Sequence, residues 1–172
     1  RVARADAGCS AAFPGVAVTA RHCSVSGSGR SCMSYKLTIH QKPAYLHAVV
    51  TGRNTRENVA EYLEEIRREC IARNCFRVLV EERLEGPRLD TLEVFQVVSE
   101  GSSKASGIYK AFAYVDVNAK GNLMQFAETV AVNRGVPVVV FSTVADAEKW
   151  LLHEDSGGTE PHAVADAAKP RP

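Results

Sequence analysis

The chain has 172 residues, 45% hydrophobic and 24% charged, with 21 Lys and Arg against 20 Asp and Glu for a formal net charge of +1. That length suits one domain and that composition an ordinary globular core, while so even a charge lacks the basic face that binding a phosphate backbone requires, so nucleic acid is not an expected partner. The longest clean apolar runs, such as VPVVVF at 136–141, have strand length and fall far short of the roughly 20 residues that cross a bilayer, so no membrane span is expected.

Residues 1–32 are rich in Ala, Gly, Ser and Arg and carry no sustained period, which predicts a disordered extension. Regular patterning begins at Met33, and the reading expects Met33 to be the natural initiator and the residues before it to be upstream sequence. A secretory signal in AAFPGVAVTA is interrupted by Pro14 and Gly15, and AGC at 7–9 lacks the apolar run that precedes a lipoprotein cleavage site.

YKLTIHQ (35–41) and YLHAVVTG (45–52) are two β-rich runs separated by Lys42, Pro43 and Ala44, which predicts a hairpin. Asn54 stands three residues before Glu57, the spacing of a capping box, and Val59, Tyr62, Leu63, Ile66, Cys70 and Ile71 then recur at three and four, one face of a helix. FRVLVEE (76–82), followed by the Gly86-Pro87 breaker, reads as a buried central strand. Asp90-Thr91-Leu92-Glu93 gives a second capping box, with Leu92, Phe95, Val98 and Ser102 expected inward. Next come the strand YKAFAYVDV (109–117), a helix through Leu123, Phe126, Ala127, Val130 and Ala131 that stops at Gly135, the strand VPVVVF, and the helix TVADAEKWLLHE capped by Thr143. From Asp155 to Pro172 Gly, Pro, Ala and charge mix without a period, which predicts a disordered tail.

The domain is therefore expected over 33–154, as an α/β fold of order ββαβαβαβα. Strands two to five form a parallel sheet, the first strand is an antiparallel N-terminal edge, and there are four helices. Cys9, Cys23, Cys32, Cys70 and Cys75 are odd in number and show no zinc-site spacing. They read as reduced thiols, which points to a cytoplasmic protein.

This element order resembles the STAS (SpoIIAA-like) superfamily, which is similar in fold to the CRAL-TRIO lipid-transfer domains. The resemblance covers residues 34–153. VLVEERLEGPRLDTLEVFQVV (78–98) is similar to the anti-sigma factor antagonist pattern of a strand ending in an acid, a short loop and Asp-Ser-Ser-Gly at a helix start. Glu81 or Glu82 matches the first acid and Asp90 the second. Leu92 and Glu93 occupy the places of the regulatory phosphoserine and its following Gly, which leaves Thr91 as the nearby hydroxyl for phosphorylation. AYVDVN and FAETVAVNRGVPV give the chain the look of the uncharacterised SpoIIAA-like branch. The resemblance implies a regulatory protein-binding domain.

In an open parallel sheet ligands meet the loops at the carboxyl ends of the strands. There the chain places Arg53 and Asn54, then Glu82, Arg83, Arg88 and Asp90, then Asp116 and Asn118, then Ser142 and Thr143. Glu82 and Asp116 have the chemistry of an acid/base or metal-binding pair, but no His is fixed beside them, and no phosphate loop, GxSxG elbow or HExxH helix occurs. No enzyme activity, cofactor or metal is expected. The candidates read either as caps and surface ion pairs or as an anion cradle of Arg53, Arg83 and Arg88.

The expected function is regulation by binding a protein partner through the loop from Glu82 to Thr91 and its helix, with a homodimer through an uncovered sheet face. The alternative is a carrier or sensor of a lipid or small anionic ligand, against which stands the little room left by the core of a domain of roughly 120 residues.

Overall fold

The computed structural model describes residues 18–21, 35–118 and 122–153. The elements are β1 (Val18–Arg21), β2 (Tyr35–Gln41), β3 (Leu46–Arg53), α1 (Arg56–Ala72), β4 (Arg77–Glu85), α2 (Thr91–Ala105), β5 (Ala111–Asp116), α3 (Leu123–Val132), β6 (Val138–Phe141) and α4 (Val144–His153). They make one six-stranded sheet in the order β1-β2-β3-β4-β5-β6. β1 and β3 run antiparallel to β2, whereas β3, β4, β5 and β6 are parallel neighbours. Over 35–153 this is the ββαβαβαβα order with four helices that the hydrophobic rhythms predict.

One strand was not expected. β1 lies inside the segment read as a disordered extension, and it pairs from Val18↔Ile39 to Arg21↔Lys36, so β2 is not the edge of the sheet. The unpaired N–H and C=O groups of a bare β2 edge would attract such a segment, and Val18-Thr19 supplies two β-branched residues to it. The expectations for Met33, for the rest of 1–32 and for the rear tail from Asp155 lie outside the described residues.

Side chains along a strand alternate between faces, so Val78, Val80 and Leu84 of β4 look one way and Leu79 the other. Three successive crossovers of the same hand put α1, α2 and α3 on the first face. There Leu37, Val50, Val78 and Val80 pack with Tyr62, Ile66, Val97 and Ala131. On the second face Leu79, Ala111, Ala113 and Val115 pack with Ala147 and Leu151 of α4. Each fully buried aliphatic side chain contributes about 1.5–3 kcal/mol, so two cores back to back hold the sheet between them.

Helix starts and phases depart from expectation at three places. The N-cap of α1 is Thr55, whose Oγ1 accepts from the Asn58 N–H at 3.2 Å, because the Asn54 N–H is already committed to the Glu85 carbonyl at 2.7 Å. Ile71, expected inward, is 48% exposed, one 100° step past the buried Cys70. On α2 the buried residues are Val94, Val97, Ser102 and Ala105, while Leu92 and Phe95 are 63% and 40% exposed. α2 touches both α1 and α3, and a helix flanked on both sides turns its narrow Val, Gly and Ala stripe inward.

Cys75 is disulfide-bonded, whereas Cys70 is a buried free thiol whose pKa burial pushes up to about 12. The expectation of five reduced thiols is overturned at Cys75, and the argument from thiols to a reducing compartment goes with it. Among the described residues no helix is long and apolar enough to cross a membrane.

Candidate functional site

The inner face of β4 continues from Val78 and Val80 to Glu82, and that of β5 from Phe112 through Tyr114 to Asp116. The register pairs Val80 with Tyr114 and Glu82 with Asp116, which sets two acids side by side beneath the helices. Both are buried, at 4% exposure each. Such groups are sustainable only with partners, since a buried charge without hydrogen bonds costs several kcal/mol.

The partners come from three directions. Tyr62 descends from the buried face of α1, and its hydroxyl donates to Glu82 Oε2, as does that of Tyr114. The two hydroxyl oxygens are 2.9 Å apart. Arg88, in the loop before α2, folds back onto the strands, forming an ion pair with Asp116 and standing 3.9 Å from Glu82 Oε1 through its Nη1. Asp116 Oδ1 accepts the Asn118 N–H at 2.9 Å, and Asn118 Nδ2 donates to the Leu84 carbonyl at 2.9 Å, fastening the end of β5 to β4. Burial first, and then the charge of Glu82, hold the pKa of Tyr62 and Tyr114 well above that of an ordinary phenol, so both stay neutral donors. Among the described residues the cluster holds two buried carboxylates and one partly exposed guanidinium.

This cluster forms the polar end of a cavity of about 180 Å³ that runs between the sheet and α1, α2 and α3. Its walls include Leu63, Val97, Phe112 and Val138; Asn54, Glu82, Arg88 and Tyr114 supply polar groups at this end, and Glu64, Arg67 and Lys104 also line it. A mostly apolar recess with a few convergent polar groups is the usual form of a small-molecule site.

Of the residues the sequence singled out, Asn54, Glu82, Arg88, Asp116 and Asn118 meet here. The others do not. Arg53 is exposed at the end of β3 and offers its carbonyl to Asn58 Nδ2 at 2.8 Å. Arg83 points to the opposite face, where its Nε donates to Glu81 Oε1 at 2.7 Å and His47 Nε2 lies 3.1 Å from Glu81 Oε2. Adjacent strand residues face opposite ways, so Arg83 and Arg88 cannot share an anion, and the cradle of Arg53, Arg83 and Arg88 does not form. Asp90 is occupied by the α2 capping box, its Oδ1 accepting the Glu93 N–H at 2.8 Å while Glu93 Oε2 accepts the Asp90 N–H at 3.0 Å. Thr91 is exposed between these two acids. Thr143 caps α4, accepting the Asp146 N–H at 3.2 Å and donating to Asp146 Oδ2 at 2.6 Å.

Sequence reasoning missed Tyr62 and Tyr114 as site residues, placing both among ordinary core or strand positions. A usable signal existed. Glu82 falls in phase with Val78 and Val80, and an acid on the buried face of a strand demands donors from whatever covers it. Among the described residues no group of three or more His, Cys, Asp or Glu is arranged to hold a metal ion. No family model matches the chain, and no curated protein or solved structure matches it either.

Proposed function

We propose that the chain is a non-catalytic binding domain of the STAS (SpoIIAA-like) kind that takes a small, mostly apolar molecule beneath α1, α2 and α3. The observation that carries this reading is the apolar cavity of about 180 Å³ ending on Glu82 and Arg88. The argument from domain size against an internal ligand fails here, because α2 turns Val97, Gly101 and Ala105 towards the sheet and leaves space below them. That space is close to the roughly 150 Å³ that accommodates a benzene ring and below the roughly 300–1,000 Å³ of sites for larger ligands, so a single ring or short chain suits it and a long-chain lipid does not. Amide NMR spectra of the intact chain titrated with toluene test this. Shifts at Val97, Phe112 and Val138 are expected, and an unchanged spectrum at saturation would refute it.

A second reading, docking of a protein partner by the loop from Glu82 to Thr91 and α2, is favoured by the exposure of Leu92 and Phe95 at the start of that helix. Two large apolar side chains beside one loop are what a partner would cover. A partner recovered by the wild type and equally by Leu92→Asp/Phe95→Asp would remove that surface. In the homodimer this reading allows, a second copy packs on the outer face of β2 and β3, beyond the strands that α4 covers.

A further inference from the structure

Resting on the cavity reading, we infer that the site selects a neutral, hydroxyl-bearing apolar molecule, an alcohol or phenol, whose hydroxyl bridges Arg88 Nη1 and Glu82 Oε1, and that it discriminates against carboxylates. Arg88 Nη1 is buried and has no hydrogen-bond partner among the described residues. Glu82 Oε1 stands 3.9 Å from it, too far for a direct hydrogen bond. An oxygen about 2.8 Å from each atom spans that gap with ordinary hydrogen-bond lengths.

The two ends of the gap demand different things of that oxygen. Arg88 can only donate, and an ionised Glu82 can only accept. The bridging group must therefore accept one hydrogen bond and donate another. A hydroxyl does both. A carboxylate or carbonyl accepts from Arg88 but leaves Glu82 facing a lone pair, and an ammonium donates to Glu82 but cannot accept and adds a second cation beside Arg88.

Charge points the same way. Among the described residues, Glu82 and Asp116 outnumber the one guanidinium that pairs with them, with side chains 5% and 0% exposed. An anionic ligand would place a third negative charge beside two buried carboxylates, where like charges are costly. The two hydroxyls nearest to it are taken, because those of Tyr62 and Tyr114 both point at Glu82 Oε2. Beyond the polar end, Leu63, Val97, Phe112 and Val138 ask for hydrocarbon. An anionic ligand, the class expected from the three arginines, is thus the class this arrangement disfavours.

The test uses three probes that share one tolyl group: toluene, p-cresol and p-toluate. Each is titrated at pH 7 into the intact chain and followed by amide NMR. Tighter binding of p-cresol than of p-toluate by about tenfold or more is expected, with the preference reduced several-fold in Glu82→Gln, whose amide keeps the shape and removes the charge. If toluene binds but p-toluate binds as tightly as p-cresol, the inference is wrong and the cavity reading stands. If none of the three binds, the cavity reading itself falls and the inference with it. The wild-type ratio decides the matter even if Glu82→Gln fails to fold.

Discussion

Replacing Arg88 by Met keeps a side chain of similar reach and removes the cation that, among the described residues, pairs with Glu82 and Asp116. The two carboxylates then remain in place with side chains 5% and 0% exposed. Breaking a buried pair by removing one partner costs about 3–5 kcal/mol, since the charge left behind is neither hydrated nor matched. Arg88 is itself 29% exposed, so water attenuates part of its interaction and the lower end, about 3 kcal/mol at pH 7, is the expected loss. That is a large fraction of the about 5–15 kcal/mol that holds a domain folded. Urea unfolding followed by far-ultraviolet circular dichroism should show a lower midpoint at an unchanged slope. Adding Asp116→Asn to Arg88→Met removes one stranded charge while keeping an oxygen to accept the Asn118 N–H, and it should recover about half of the loss. A single variant within about 0.5 kcal/mol of wild type, the spread of ordinary surface changes, would refute the account of the cluster.

Three further outcomes follow from contacts already described. Tyr62→Phe removes one of the two hydroxyls donating to Glu82 Oε2 and should destabilise by about 1–3 kcal/mol in the same assay, the cost of a buried acceptor left short of a donor. His47 has its pKa lowered from the ordinary 6.5, by burial against the opposing pull of Glu81. The folded state therefore resists the proton that the unfolded chain accepts, and His47 supports stability above pH 6.5 and loses that contribution as pH falls below it. Melting temperatures between pH 7 and pH 5 should accordingly fall less steeply in His47→Gln, and an identical slope would contradict this. A Cβ added at Gly101 in α2 meets nothing within 4 Å, so Gly101→Ala should raise stability by about 0.4–1 kcal/mol through helix propensity and a less flexible unfolded chain. A lowered melting temperature would mean that the space beside Gly101 is not free.

The architecture could be read from the chain because each element carries its own period. FRVLVEE announces a strand buried on both faces, and Asp90-Thr91-Leu92-Glu93 forms the capping box its spacing predicts. β1 was not legible, since four residues are too short to show alternation and their pairing depends on an edge elsewhere in the fold. The phase of α2 misled for a different reason. Hydrophobic size favours Leu92 and Phe95 as inward residues, whereas the space between α1 and α3 favours small ones.

The site was half legible. Ligand crevices at the carboxyl ends of strands arise where the strand order reverses, and this sheet has no such reversal among its parallel strands. The polar groups gather instead where Asn54 and Arg88, in the loops after β3 and β4, meet the cavity under the helices. Asp116 was found because it ends its strand, and Glu82 because it ends the β-rich run FRVLVEE, although β4 continues to Glu85. Tyr114 was missed because its role depends on the register between β4 and β5, which neither strand encodes alone.

Every pairing in the sheet joins strands that are consecutive in the chain. During synthesis, each strand leaving the ribosome meets an edge already made, and no pairing waits for a distant segment to arrive. Of the described elements α4 emerges last, and among them it is the helix that covers Leu79, Ala111, Ala113 and Val115. A nascent chain halted after Phe141 therefore has its strands and its first core in hand but an oily, unshielded back, and it is at that moment that a chaperone has something to hold.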